Sequence, residues 1–322
     1  MEHVALFAAG IALLAAGAPL LVFGAARLDR RTGRSPFAVG AVAVAFGPCL
    51  AGLAFDCAAV LRPAPPRAAQ IANVTVVGNV VGGTVASVGL VLGAAALVRP
   101  VAATARLFHT AIPLALGATL LFWFLARNSP LSRVDAGFLL AAFAGALALL
   151  IRAARRESEG AKAAFAGAVP ERLPVRLAVA FALAGLAATA GGAVLAAAEL
   201  IDATRALRLT APAMGATVVA FGTSLPAAVA AVVASRRGRS DLVLGIVVGS
   251  VVFNLLLVGG VAMVEPLLIT KHTILEAVPV MALFALLLLP VRLNGLNVPR
   301  WEGAFLLAAY AGFVTWQVSG VR

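Results

Sequence analysis

The apolar positions of this chain fall in long, nearly unbroken runs, with neither the two-residue alternation of a half-buried strand nor the narrow stripe of a surface helix. Ten windows hold roughly 20 mostly apolar residues each, the length that carries a helix across about 30 Å of hydrocarbon. They cover 4–26, 37–61, 71–98, 107–126, 134–151, 175–201, 209–234, 241–264, 273–291 and 302–319. Most are rich in Ala and Gly, which let helices approach closely in lipid. Between the fifth and sixth windows lies the longest polar stretch, 153–174, charged and carrying Gly and Pro. The pattern predicts an all-α polytopic membrane protein of about ten transmembrane helices. It divides into a first half, 1–152, a connector, 153–174, and a second half, 175–322.

Composition agrees with the pattern. Apolar residues make up 62% of the chain and charged residues 12%, with a mean hydropathy of +1.05. A soluble domain carries about 45–50% apolar and about 25% charged residues. The formal net charge is +12. In a soluble protein that excess would point to nucleic acid, but in a bilayer protein it reads as topology charge in the loops. Seventeen of the 25 basic residues follow odd-numbered spans and eight lie on the other side. The positive-inside rule puts the richer side, with the connector, in the cytoplasm and both termini outside. The expected location is a bacterial inner (plasma) membrane, and the expected partners are the lipid bilayer and inorganic cations, with no nucleic acid. The apolar run at the N-terminus lacks a basic leader and is too long for a signal peptide, so it reads as the first span. Cys49 and Cys57 sit eight residues apart in one apolar run and read as small buried thiols.

The two halves resemble each other. Gly40–Gly47 (GAVAVAFG) aligns with Gly215–Gly222 (GATVVAFG), six of eight residues being identical. Gly78–Gly93 aligns with Gly245–Gly260 over eight of sixteen. Five spans separate equivalent points, and an odd number inverts the second copy relative to the first. Inverted repeats are a signature of secondary transporters, which bind substrate near the midplane where the repeats meet. The expected fold is therefore two inverted five-helix repeats. Each copy carries a pair of glycines at four-residue spacing, Gly78/Gly82 and Gly245/Gly249, which fits close helix packing.

Polar residues inside the spans carry the chemistry. Pro226 removes a backbone donor, which predicts a helix break near Gly222-Thr223-Ser224, and Pro48 predicts another in span 2. Freed carbonyls and the hydroxyls of Thr223 and Ser224 can face a cation. Ser250 and Asn254 lie four apart on span 8 and share a face. Oxygen ligands of this kind suit hard cations. Alternatively, Ser and Thr in membrane helices bond only their own backbone or a neighbour.

The segment Ala220-Phe-Gly-Thr-Ser-Leu-Pro-Ala227, with Gly245-Ile-Val-Val-Gly-Ser250 and Asn254, resembles the second alpha-repeat of the cation/calcium exchanger superfamily, the sodium/calcium exchanger group. Ala45-Phe-Gly-Pro-Cys-Leu-Ala-Gly52, with Gly78–Gly83 and Ser87, resembles the first. The resemblance implies a secondary active cation antiporter working by alternating access. Ca²⁺ is the family-implied substrate, Na⁺ or H⁺ the coupling ion, and no cofactor is implied. It adds Ala220, Ala45 and Ser87 to the ion-binding candidates Thr223, Ser224, Ser250 and Asn254. It also implies a glutamate ending each repeat's first motif, at positions that here hold Gly52 and Ala227. Pro48 and Cys49 replace a Thr-Ser pair, Gly83 a serine, and Ser87 stands where an asparagine is usual. A divalent ion in a low-dielectric site needs compensating charge, whereas neutral oxygens can hold a monovalent one. A monovalent cation or proton exchanger, and a non-transporting membrane protein that keeps the fold, therefore stand as alternatives.

Two acids are candidates to replace the lost charge. Asp56 lies one turn beyond Gly52 on the same face; the alternative is an Asp at a helix end reaching toward Arg62. Glu199 is the second candidate. Asp202–Arg205 reads as an interfacial pair, and Glu276 as facing the outer interface. His109 and His272 read as span-edge residues, and Trp123, Trp301 and Trp316 as interfacial anchors. No nucleophile–base set, Walker loop or dinucleotide fingerprint is present, which argues against an enzyme.

Overall fold

The computed structural model describes residues 2–29, 36–102, 105–127, 130–155, 174–289 and 297–319. Most of the connector, and the ends of several loops, lie outside the described residues. Among those described, the chain forms ten helical rods. They are α1 (Glu2–Asp29), α2 (Pro36–Leu61), α3 (Pro66–Val98), α4 (Ala105–Ala126), α5 (Arg133–Arg155), α6 (Val175–Ala206), α7 (Ala211–Arg236), α8 (Ser240–Val264), α9 (Thr273–Leu286) and α10 (Arg300–Ser319). Each of the ten apolar windows is one rod. Five are long and apolar enough to cross a membrane by length and composition.

Three rods widen into π-helical turns: Ser87–Leu92 in α3, Gly215–Val219 in α7 and Thr273–Ala277 in α9. Such turns occur mostly as local bulges and often mark functional sites. The breaks expected at the prolines are absent. α2 is continuous through Pro48, and α7 stays α-helical from Ala220 to Arg236 with Pro226 inside it. A proline forfeits its own bond to the carbonyl four residues back, here Gly222, and its ring crowds that carbonyl, a local cost that the packing of α7 against its neighbours can absorb. The helix therefore loses a bond without ending.

The packing is paired across the two halves. α2 meets α8 as α7 meets α3; α3 meets α10 as α8 meets α5; α1 meets α7 as α6 meets α2; α4 meets α8 as α9 meets α3. Each contact recurs five helices on, and five is odd, so the counterpart helices run in opposite directions. α2, α3, α7 and α8 form the centre, with α3 and α8 the most enclosed. The Gly78/Gly82 pair seats α3 against α7: a methyl on Gly78 would lie 2.5 Å from the Pro212 carbonyl, and one on Gly82 would strike Ala216. Its counterpart departs from the expectation, since Gly245 has open space where a methyl would go.

α1 and α6 form a second unit against this centre. A methyl on Gly10 would meet the Ala196 nitrogen at 2.6 Å, and one on Gly17 the Thr189 nitrogen at 2.5 Å. Only glycine lets these backbones come so close.

The loops sort to two ends. At one end the strands β1 (Val101–Ala102) and β2 (Asn297–Val298) pair antiparallel, and Arg99 packs against Gly238. At the other, Leu131 pairs with Leu267. There Arg62 donates to the carbonyls of Ala197 and Ala198 at 3.2 and 2.6 Å, and the His3 ring lies 2.7 Å from Glu199. The β1–β2 and Arg99–Gly238 contacts join segments after odd-numbered spans and the Leu131–Leu267 contact joins segments after even-numbered ones, while the start of α1 and the ends of α2 and α6 meet at the second end, as complete crossings require.

Candidate functional site

A polar cavity of about 20 Å³ lies where α2, α3, α7 and α8 meet. That is room for one water-sized occupant. Thr223, Ser224, Ser250, Asn254 and Ser87 line it, together with Cys49, Gly52, Gly83, Ala227 and Asn79. Four-residue spacing explains the assembly: Ser250 and Asn254 share one face of α8, as do Asn79, Gly83 and Ser87 on α3. Both positions that the family pattern gives to glutamate open directly onto the cavity, and among the described residues no charged side chain lines it.

The oxygens differ in how free they are. Ser87 Oγ donates to the Gly83 carbonyl at 2.7 Å, so its proton is spent on its own helix. Thr223 Oγ1 shares its proton between the Ala220 carbonyl at 3.3 Å and Asn79 Oδ1 at 3.2 Å. Ser250 Oγ is 3% exposed and has the Cys49 thiol beside it but no conventional hydrogen-bond partner. A buried hydroxyl with only a thiol beside it keeps hydrogen-bonding capacity that a bound cation or water would take up. Gly83 makes room for Asn254, whose Nδ2 would lie 2.9 Å from a methyl there. A serine at 83 would therefore require the Asn254 amide to shift.

Other candidates fall elsewhere. Ala220 is buried but does not line the cavity; its carbonyl takes part through Thr223. The side chains of Ala45 and Pro48 lie outside what the structure describes, as does that of His109. Asp56 is 5% exposed but does not line the cavity. Nor does it reach Arg62, which is engaged with α6 carbonyls. Its carboxylate instead accepts from Asn79 Nδ2 at 2.8 Å. The reason is geometric: one turn beyond Gly52, α2 has passed the cavity and faces α3. Glu199 is placed at the bundle end with His3, away from the site. Asp202 and Arg205 pair at 3.5 Å, and His272 pairs with the half-exposed Glu276 at 3.3 Å and stacks on Trp316. Among the described residues no group of three or more His, Cys, Asp or Glu is placed to hold a metal. Cys49 is buried at the cavity and Cys57 is only half-buried.

Asn79 is the residue sequence reasoning passed over. It stands in the repeat alignment opposite Ile246, and an amide facing an apolar partner across two copies was the available signal.

Comparison with known proteins agrees with this arrangement. The sequence profile of the sodium/calcium exchanger protein family matches residues 2–152 and 177–319. CaxA of Alkalimonas amylolytica, a proposed antiporter, is 29% identical over 74% of this chain and 77% of its own. The sodium/calcium exchanger MaX1 of Methanosarcina acetivorans is 37% identical over a shorter stretch, 31% of this chain and 29% of its own. The solved structure of the sodium/calcium exchanger from Methanococcus jannaschii superposes with a TM-score of 0.64 at 25% identity, covering 97% of each chain.

Proposed function

Because the chain belongs to the sodium/calcium exchanger protein family and is an integral membrane cation antiporter of that type, we propose that the cation it carries is monovalent, with Na⁺ the first candidate. One observation carries the reading: Gly52 and Ala227 line the cavity and bring no carboxylate to it. Calcium sites set their affinity through ligand charge and number. A ring of hydroxyl, amide and carbonyl oxygens suits a single charge instead, as in filters built from carbonyls. The Ser250 hydroxyl beside the Cys49 thiol and the paired Thr223 hydroxyl supply such oxygens. The family is one of transporters rather than enzymes, and the cation is cargo.

Alternating access follows from the two-unit packing. The α1–α6 pair lies against the α2/α3/α7/α8 centre and shifts over it to open the cavity to one side at a time. Ile11 of α1 packs on Gly222, beside the motif, so movement of this pair is felt at the site. The basic loops support a cytoplasmic connector and outside termini in a bacterial plasma membrane.

Flux into proteoliposomes holding the purified protein tests the reading. We expect Na⁺ uptake driven by an opposing gradient of K⁺ or H⁺, unaffected by micromolar Ca²⁺. Asn254→Ala should slow it severely, while Ser87→Ala should slow it little because that hydroxyl is already engaged. Uptake of Ca²⁺, or block by micromolar Ca²⁺, would refute a monovalent substrate.

A further inference from the structure

Two positions at which the first repeat turns polar while the second stays apolar are bonded to each other. Asp56 stands opposite Ala231, and Asn79 opposite Ile246, in the repeat alignment. Both polar members are at least 95% buried. One polar departure could be an accident of packing; two that meet at 2.8 Å form a unit. Asn79 is the link in a directional chain. Its Nδ2 donates to Asp56 Oδ1, and its Oδ1 accepts from Thr223 Oγ1 at 3.2 Å. Asn79 and Thr223 line the cavity, and Asp56 does not.

An amide in a cavity wall can present either its oxygen or its NH₂, and only the oxygen attracts a cation. An ionised carboxylate on the far side removes that ambiguity, because it accepts and cannot donate. The NH₂ must therefore face Asp56 and the oxygen must face the cavity. The same bond polarises the amide, since hydrogen bonds in series strengthen one another in a low dielectric. Negative charge is thus felt at the cavity without a carboxylate in its wall.

We propose that Asp56 is a positioning residue for cation selection, acting through Asn79, which presents its amide oxygen to the transported cation as a ligand beside Thr223. This rests on the monovalent reading above and deepens it. A charge held one residue back favours a weakly hydrated single charge over a divalent ion, which gains most from direct carboxylate contact. The arrangement differs from direct ligation by Asp56 in what exchanging the two residues should do. In the double variant D56N/N79D the pair keeps its hydrogen bond with the roles reversed, because the amide moved to position 56 donates to the carboxylate moved to position 79. Thr223 still finds an acceptor, but the negative charge now stands in the cavity wall.

The test is transport by the full-length protein in proteoliposomes, with Na⁺, K⁺ and Ca²⁺ as probes, and thermal unfolding of each variant as the folding control. For the cation the wild type carries, D56N should raise KM about tenfold or more, the scale of one charge-assisted hydrogen bond, with little change in kcat. The exchange D56N/N79D should restore folding and cation uptake and raise the Ca²⁺ affinity about tenfold or more over wild type. A role in packing alone would leave KM unmoved in every variant that folds. Unchanged KM in folded D56N overturns the proposal, as does a folded double variant without gain in Ca²⁺ affinity. The wild-type selectivity is a separate reading: Ca²⁺ uptake by the wild type defeats the monovalent assignment, while the KM comparison on that ion still decides the role of Asp56.

Discussion

At the scale of single residues, the cavity is defined as much by what is missing as by what is present. A methyl at Gly52 would sit 3.6 Å from Asn79 Nδ2 and 3.9 Å from Thr223, ordinary contact distances. The site therefore has room for a side chain to begin there. Gly52→Glu should fold and bring a carboxylate to the cavity, raising Ca²⁺ affinity by about an order of magnitude or more. Titration calorimetry on the purified variant checks this, and unchanged Ca²⁺ binding would mean that charge is not what the site lacks. The hydroxyls and Asn254 were legible in the sequence because motif spacing fixes which residues share a helix face. Asp56 was legible only as a face. Its partner depends on how α2 crosses α3, which no spacing within one helix encodes. For the same reason Asn79, alone in an apolar run, read as part of a packing block.

Among the helices, the hydrophobic pattern located every rod, since the bilayer demands length and apolarity from each one separately. Proline misled the reading, because a single missing hydrogen bond in a helix held by neighbours bends or loosens it without ending it. The π turns of α3 and α7 carry no comparable sequence mark. Glycine spacing was informative only in part: Gly78 and Gly82 serve close contact, whereas Gly245 faces open space. The α1–α6 seam gives the sharpest test of packing. Gly17→Leu forces a side chain into the Thr189 backbone and should lower stability by about 1–3 kcal/mol or more, the range for overpacking. Gly191→Ala, with nothing within 4 Å of the added methyl, should be nearly neutral. Thermal unfolding in detergent compares the two. If both behave alike, the seam is not held by close backbone contact, and the α1–α6 pair need not move as one.

For the whole molecule, the arrangement of ends ties the fold to its orientation. The pairing of β1 with β2 joins the loops that follow α3 and α9, and the Leu131–Leu267 pairing joins those that follow α4 and α8. The first pairing requires an even number of crossings from α4 to α9, and the second an even number from α5 to α8, as six and four full spans give. Which end faces the cytoplasm is a matter of charge, and the basic residues favour the β1/β2 end. Ala102 is exposed there, and Leu268 is exposed at the opposite end. In a background carrying Cys49→Ala and Cys57→Ala, a cysteine at 268 should react with a membrane-impermeant maleimide on intact cells. A cysteine at 102 should react only once the membrane is opened. The reverse result would mean that the loop arginines do not set the orientation. Labelling of both from the same side would contradict ten crossings and, with them, the inverted relation of the two halves. The orientation also decides which way the cation gradient must point for the α1–α6 pair to work as an exchanger in the cell.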